Sequence, residues 1–147
     1  EGLSVDAAAF NAAYQARLGE TAIPRDDSVA LVTSLRGRVR QYVVSNGTVQ
    51  AQTAKLRRSG LDRLMDGIFL SEKIGAEKPD IAFFDAVFAA IGPVEKEEVL
   101  IVGDSLTSDI QGGRNAGIQT CWYAPAGGES PLPHHTIRDL HQVLALL

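Results

Sequence analysis

Two hydrophobic periods alternate along the chain. Apolar residues recur at helical spacing from about Val5 to Leu18, where Ala8, Phe10, Ala13, Tyr14 and Leu18 share a face and Gly19 supplies a stop. After Pro24, the segment "RDDSVALVTSLRG" predicts a second helix, with acids in its first turn, Arg36 in its last and Gly37 just past the end. Val39 to Val44 is then a run of strand formers, followed by a helical stretch from Val49 to Ser59 closed by Gly60, and by a short strand, "GIFLS", from Gly67 to Ser71. Asp80 is placed to cap "IAFFDAVFAAI", which Gly92 and Pro93 end. Val99 to Val102 predicts a buried strand, a helix follows near Ser108 to Ala116, and "IQTCWY" is a further strand. The tail passes through a loop rich in Gly and Pro, which holds His134 and His135, into an apolar helix, "LHQVLALL". Strand and helix in alternation predict an α/β fold: a Rossmann-like, mostly parallel sheet with helices on both faces.

Length and charge narrow the partners. A chain of 147 residues is long enough to bury a sizeable core. A formal charge of -4 offers no broad attraction for nucleic acid or an anionic membrane surface, so neither is expected as a partner. No apolar run approaches the roughly 20 residues of a membrane span, no signal-peptide pattern opens the chain, and the single Cys121 cannot form an internal disulfide, so the cytoplasm is the expected compartment. The opening "EGLSVDAAAF" has no initiator Met and reads as part of something longer.

The candidate chemistry lies where strands give way to helices. In parallel α/β folds, ligands sit outside the carboxyl ends of the strands. Ser45-Asn46-Gly47 and Gly103-Asp104 both occupy such positions. A helix N-terminus offers N–H groups and a positive dipole end to an anion such as phosphate, Ser45 adds a hydroxyl, and Gly47 lets the backbone approach closely. Asn-Gly is also an ordinary tight-turn signal, but a helical pattern rather than a partner strand follows Thr48. Asp104, with Asp109 five positions on, suits a hard cation such as Mg²⁺; the alternative is that Asp109 or Ser108 caps the helix and Asp104 satisfies loop amides. Lys78, in "GAEKPD", is either a solvated lysine or a positive charge held near a phosphoryl group. Gly112-Gly113 and Gly117 lack the Lys-Ser/Thr of a phosphate loop, which favours close helix packing and a helix stop. The two histidines are expected to be solvated, and Cys121 and Trp122 to be strand residues packed in the core.

Order and spacing add what the single signals lack. "VVSNG", then "EKPD", then "VLIVGDSLTSDIQGGRNAG" resembles the second, third and fourth motifs of the haloacid dehalogenase-like (HAD) superfamily. "QTCWYAP" together with "SDIQGGRNAG" is similar to the branch that contains pyrimidine 5'-nucleotidases. The resemblance covers nearly all of Pro24 to Leu147 and implies a Mg²⁺-dependent phosphomonoesterase that works through an aspartyl-phosphate. Its substrate would be a small phosphorylated metabolite, with a nucleotide suggested by the branch. It further implies that Ser45, Asn46 and Gly47 bind the phosphoryl group, that Lys78 stabilises the aspartyl-phosphate and the nucleophile, that Asp104 ligates Mg²⁺, and that Asp109 supports the metal directly or through water. A dehalogenase and a sugar phosphomutase of the same superfamily are the near alternatives, and a catalytically silent binding module of the same fold is the distant one.

One departure stands out. The family's first motif, Asp-x-Asp at the end of the first strand, has no match in Glu1 to Tyr42, and Asp26-Asp27 follows no apolar strand. The resemblance therefore divides the chain into a cap-helix remnant and linker over residues 1–23 and an α/β core over residues 24–147 without its first strand. An upstream segment or a partner subunit is expected to complete the sheet, and the segment alone is expected to be inactive.

Overall fold

A computed structural model of the chain describes residues 28–147. The helix predicted over Val5 to Leu18, the cap remnant over residues 1–23 and the Asp26-Asp27 pair lie outside the described residues. The rest falls into two compact units that divide after Lys73.

In the first unit, helix α1 (Ser28–Leu35) buries Leu31 and Leu35, and Gly37 leaves it in the left-handed region at φ 76°. The sequence pattern predicts a strand over Val39 to Val44, whereas strand β1 spans Tyr42–Ser45. The shift has a local cause: the Val39 amide still donates to the Leu35 carbonyl at 3.2 Å, so it belongs to the turn that leaves the helix. β1 pairs in parallel with β2 (Gly67–Leu70), in register from Tyr42 opposite Gly67 to Ser45 opposite Leu70. Between them runs α2 (Val49–Ser59), bounded as its pattern predicts. Thr48 caps its start, and Gly60, at φ 74°, returns its N–H to the Arg57 carbonyl. The predicted strand "GIFLS" stops one residue early because Ser71 opens the short helix α3 (Ser71–Ile74).

The second unit holds helix α4 (Ile81–Ile91), whose N-cap Asp80 accepts a hydrogen bond from the Ala82 amide at 2.9 Å. Phe83, Phe84 and Val87 form its buried stripe, and Gly92, at φ 84°, ends it. Strands β3 (Leu100–Gly103), β4 (Gln119–Tyr123) and β5 (His135–Ile137) pair in parallel in that order. The helix expected near Ser108 to Ala116 is a π-helical turn, Leu106–Ile110, that runs straight into α5 (Gln111–Ala116). Strand β5 corrects the expectation of a loop through His135. Three residues with one buried position, Ile137, are too few for alternation to register in the sequence. The tail helix is a 3₁₀ turn, Leu140–Ala145, with a capping box between Asp139 and Gln142.

Phe83, Ile110 and Cys121 are fully buried, each side chain of the Phe and Ile type contributing about 1.5–3 kcal/mol by leaving water. α5 can approach this core because Gly112 and Gly113 have no side chain. A Cβ on Gly112 would stand 2.7 Å from the Phe84 ring, and one on Gly113 would stand 2.6 Å from both Ile101 and Thr120. Gly117 then stops the helix at φ 74°. Every strand pairing described is parallel, and helices separate the strands except β4 and β5, which a loop joins; this is the α/β class the sequence predicts. The described strands lie in two sheets, β1-β2 and β3-β4-β5. Among the described residues, no helix is long and apolar enough to cross a membrane.

Candidate functional site

The second unit builds its polar centre at the carboxyl end of β3. The Lys78 ammonium donates to the Asp109 carboxylate, Nζ to Oδ1, at 2.6 Å, and the two side chains are only 6% and 12% exposed. Asp109 reaches this position through the π-helical turn. The Ser105 carbonyl accepts from both the Asp109 and Ile110 amides, at 3.0 and 3.1 Å. That wider turn carries Asp109 back over the end of the strand, where its Oδ2 accepts from the Ser105 amide at 3.1 Å. Ser105 Oγ accepts in turn from the Ser108 amide at 3.2 Å. Gly103 is required for steric reasons, since a Cβ there would overlap the Asp109 side chain. A buried ion pair supplied with a further hydrogen bond is a rigid charge pair, because breaking it leaves an ion in low dielectric.

Asp104, one residue past β3, is exposed. Among the described residues its carboxylate makes no hydrogen bond or ion pair, while its backbone carbonyl accepts from Trp122 Nε1 at 3.0 Å. Mg²⁺ prefers oxygen ligands and is commonly held by one or two carboxylates, with waters and substrate phosphates completing the octahedron. A single outward carboxylate of this kind fits that requirement. It does not fit a cage made of protein alone, and among the described residues no group of three or more His, Cys, Asp or Glu gathers to form one.

The other predicted residues belong to the first unit. Ser45 is the last residue of β1 rather than the first beyond it, and it pairs with Leu70. Asn46 is exposed in the bend that leads to α2. A Cβ on Gly47 would stand 2.5 Å from Gln52 Nε2 and 2.7 Å from its Cγ, so a side chain there would have to displace that of Gln52. Two groups already serve the N-terminus of α2. Thr48 Oγ1 accepts from the Ala51 amide at 3.3 Å, and the Glu72 carboxylate accepts from the Val49 amide at 2.5 Å. An acid therefore stands against the positive end of this helix. Glu72 gave no signal in the sequence beyond its place in the short segment after β2.

Of two groups expected to be ordinary, one is partly otherwise. His134 is exposed, yet its Nδ1 lies 3.1 Å from the Thr120 amide and its Nε2 lies 2.6 Å from Arg114 Nη1. Burial, then the Arg114 guanidinium and His135, hold its pKa below the usual histidine value. Cys121 is buried as expected, and burial pushes its thiol pKa up, away from nucleophilic character.

A family model described as haloacid dehalogenase-like hydrolase matches residues 1–117. The chain is 34% identical over 150 residues to the pyrimidine 5'-nucleotidase YjjG of Escherichia coli, covering 100% of this chain and 67% of that one. The crystal structure of the HAD-hydrolase YfnB of Bacillus subtilis, bound to magnesium, superposes with a TM-score of 0.90 at 36% identity, over 99% of this chain and 65% of that one. The N-acylneuraminate-9-phosphatase of Rattus norvegicus is 34% identical over 127 residues, which are 83% of this chain and 51% of that one. The chain thus spans between about half and two thirds of these relatives.

Proposed function

The chain belongs to the haloacid dehalogenase-like hydrolase family, and on that premise we propose that the whole protein is a Mg²⁺-dependent phosphomonoester hydrolase. The observation that carries this reading is the division between two aspartates at the end of β3, one buried and paired with Lys78, the other exposed. That arrangement offers a positive charge fixed on Asp109 and, five positions earlier in the chain, an exposed carboxylate, which suits a phosphoryl group that arrives with a divalent cation. Mg²⁺ held through Asp104 would supply Lewis-acid neutralisation of phosphoryl oxygens and a template for substrate. Lys78 would stabilise negative charge as it moves between the nucleophile and the ester, and Asp109 would fix the Lys78 ammonium while supporting the metal directly or through water. Ser45 and Asn46, with the backbone at Gly47, would bind the phosphoryl group, in competition with the Glu72 carboxylate for the nearby helix end. The attacking aspartate and the resulting aspartyl-phosphate belong to the family's first motif. Nothing in Glu1 to Tyr42 matches that motif, so the nucleophile is not assigned to a residue here.

The substrate proposed is a small phosphorylated metabolite, and a nucleoside 5'-monophosphate is favoured by the likeness to a pyrimidine 5'-nucleotidase. The likeness to an N-acylneuraminate-9-phosphatase makes sugar phosphates the second class to assay. Phosphate release by the whole purified protein from a panel of both classes, with Mg²⁺ and with EDTA, tests the reading. Release that needs Mg²⁺ is expected. A folded protein that releases nothing would be a silent module of the fold; phosphate that migrates within a sugar would indicate a mutase, and metal-free halide release a dehalogenase.

A further inference from the structure

We propose that Trp122 is a positioning residue for Asp104, setting how tightly that aspartate holds its metal; the proposal rests on the Mg²⁺-dependent hydrolase reading. Trp122 lies on β4 directly opposite Gly103, the last residue of β3. From there its indole N–H reaches one residue further, to the Asp104 carbonyl at 3.0 Å. Indole is a donor only, so this bond has a fixed sense. The ring is itself held from the far side. A Cβ on Gly128 would stand 2.7 Å from Trp122 Cη2, and Gly128 has φ 136°, a conformation that side chains rarely adopt. The loop after β4 therefore closes on the indole with a residue that only glycine satisfies easily.

The consequence for Asp104 is mechanical. Its carboxylate has no partner among the described residues to hold it, so its direction depends on the backbone that carries it, and the indole ties that backbone to the neighbouring strand. Mg²⁺ tolerates little departure from octahedral geometry. Groups that orient a ligand without touching the ion commonly change metal affinity by about 10–100-fold. Trp122→Phe keeps an aromatic body and removes the N–H, and Gly128→Ala keeps the N–H and pushes the ring.

The test uses the whole protein and Mg²⁺ alone as the probe. In a ¹⁵N spectrum the Trp122 indole resonance is assigned by its loss in Trp122→Phe or, where that variant does not fold, by its displacement in Gly128→Ala, whose new methyl meets the Trp122 ring. It is expected to move as Mg²⁺ is added to the parent and to saturate with binding. Mg²⁺ half-saturation of phosphate release is expected to rise by about tenfold or more in Trp122→Phe, with the change in half-saturation exceeding that in kcat, and to rise in Gly128→Ala as well. An indole resonance that stays fixed through the titration overturns the proposal. So does a folded Trp122→Phe with the parent's Mg²⁺ half-saturation, a result in which Mg²⁺-dependent release leaves the hydrolase reading standing. Should Trp122→Phe fail to fold, the parent titration and Gly128→Ala decide. If the protein releases no phosphate, the hydrolase reading fails and the indole titration still decides the role of Trp122.

Discussion

Replacing Asp109 by asparagine would isolate one charge while changing shape very little. The asparagine would keep an oxygen for the Ser105 amide, but the Lys78 ammonium, now 2.6 Å from a carboxylate and 6% exposed, would stay buried and lose the charge of that carboxylate. Removing one member of a buried pair costs about 3–5 kcal/mol, because the surviving ion keeps its desolvation penalty and loses the attraction that offset it. The 12% exposure of the Asp109 side chain admits some water, so the lower end, about 3 kcal/mol, is expected. Lys78→Met should be milder, since the Asp109 carboxylate keeps a backbone donor. The double variant should lie closer to the parent than Asp109→Asn does. The two changes would then be non-additive by about 1–3 kcal/mol, as expected for groups in direct contact. Urea denaturation of the whole protein and its three variants measures all four values. A loss below about 1 kcal/mol for Asp109→Asn, or single losses that simply add, would refute the claim that the pair is buried and coupled.

Three further changes probe other parts of the chain. Gly113→Ala forces a Cβ to within 2.6 Å of Ile101 and Thr120, an overpacking expected to lower stability by about 1–3 kcal/mol in the same urea assay; an unchanged midpoint would contradict the close approach of α5. His134 takes up a proton less readily when folded than the ordinary value of 6.5, so its contribution to stability is complete above pH 6.5 and is lost as pH falls through the lower folded value. His134→Asn should accordingly flatten the fall in stability between neutral and mildly acid pH, and parallel profiles for variant and parent would count against a lowered His134 pKa in the folded chain. Asp104→Asn should reduce Mg²⁺-dependent phosphate release by more than about tenfold, the lower scale for groups that serve a metal, with little change in the urea midpoint because the side chain is exposed; equal turnover at limiting Mg²⁺ would remove Asp104 from the site.

The helices were legible wherever periodicity met a cap. Val49–Ser59 lies between Thr48 and Gly60, and Ile81–Ile91 between Asp80 and Gly92, so the same residues that give the period its ends also satisfy the terminal amides and carbonyls. Strand ends were less legible, because a helix can borrow their first residues, as Leu35 does with Val39, and because three residues such as His135–Ile137 carry too short an alternation. The candidate site was legible as a set of residue types in order. Which partner each would take was not, since Lys78 and Asp109 meet across 31 positions and no local period encodes such a contact. Trp122 likewise read as core because its place in a strand is local, while the direction of its N–H depends on the neighbouring strand.

The separation of Asp104 from Asp109 shows how a few local choices can assign two like residues different chemistry. In an ordinary α-helical turn the Ser105 carbonyl would bond a single amide, but here it bonds those of both Asp109 and Ile110. The extra residue enclosed by that turn lets the Asp109 side chain fold back onto Gly103, which must lack a Cβ to receive it. Folding back places Asp109 in a dry setting, where an anion is tolerable only beside a cation, and Lys78 is the cation delivered there. Asp104, left outside that fold-back and tethered through its backbone instead, keeps its carboxylate in water and available to an ion from solution. Gly103 and Ser105, neither of them charged, thereby decide which aspartate balances a lysine, and the other stays open to solvent.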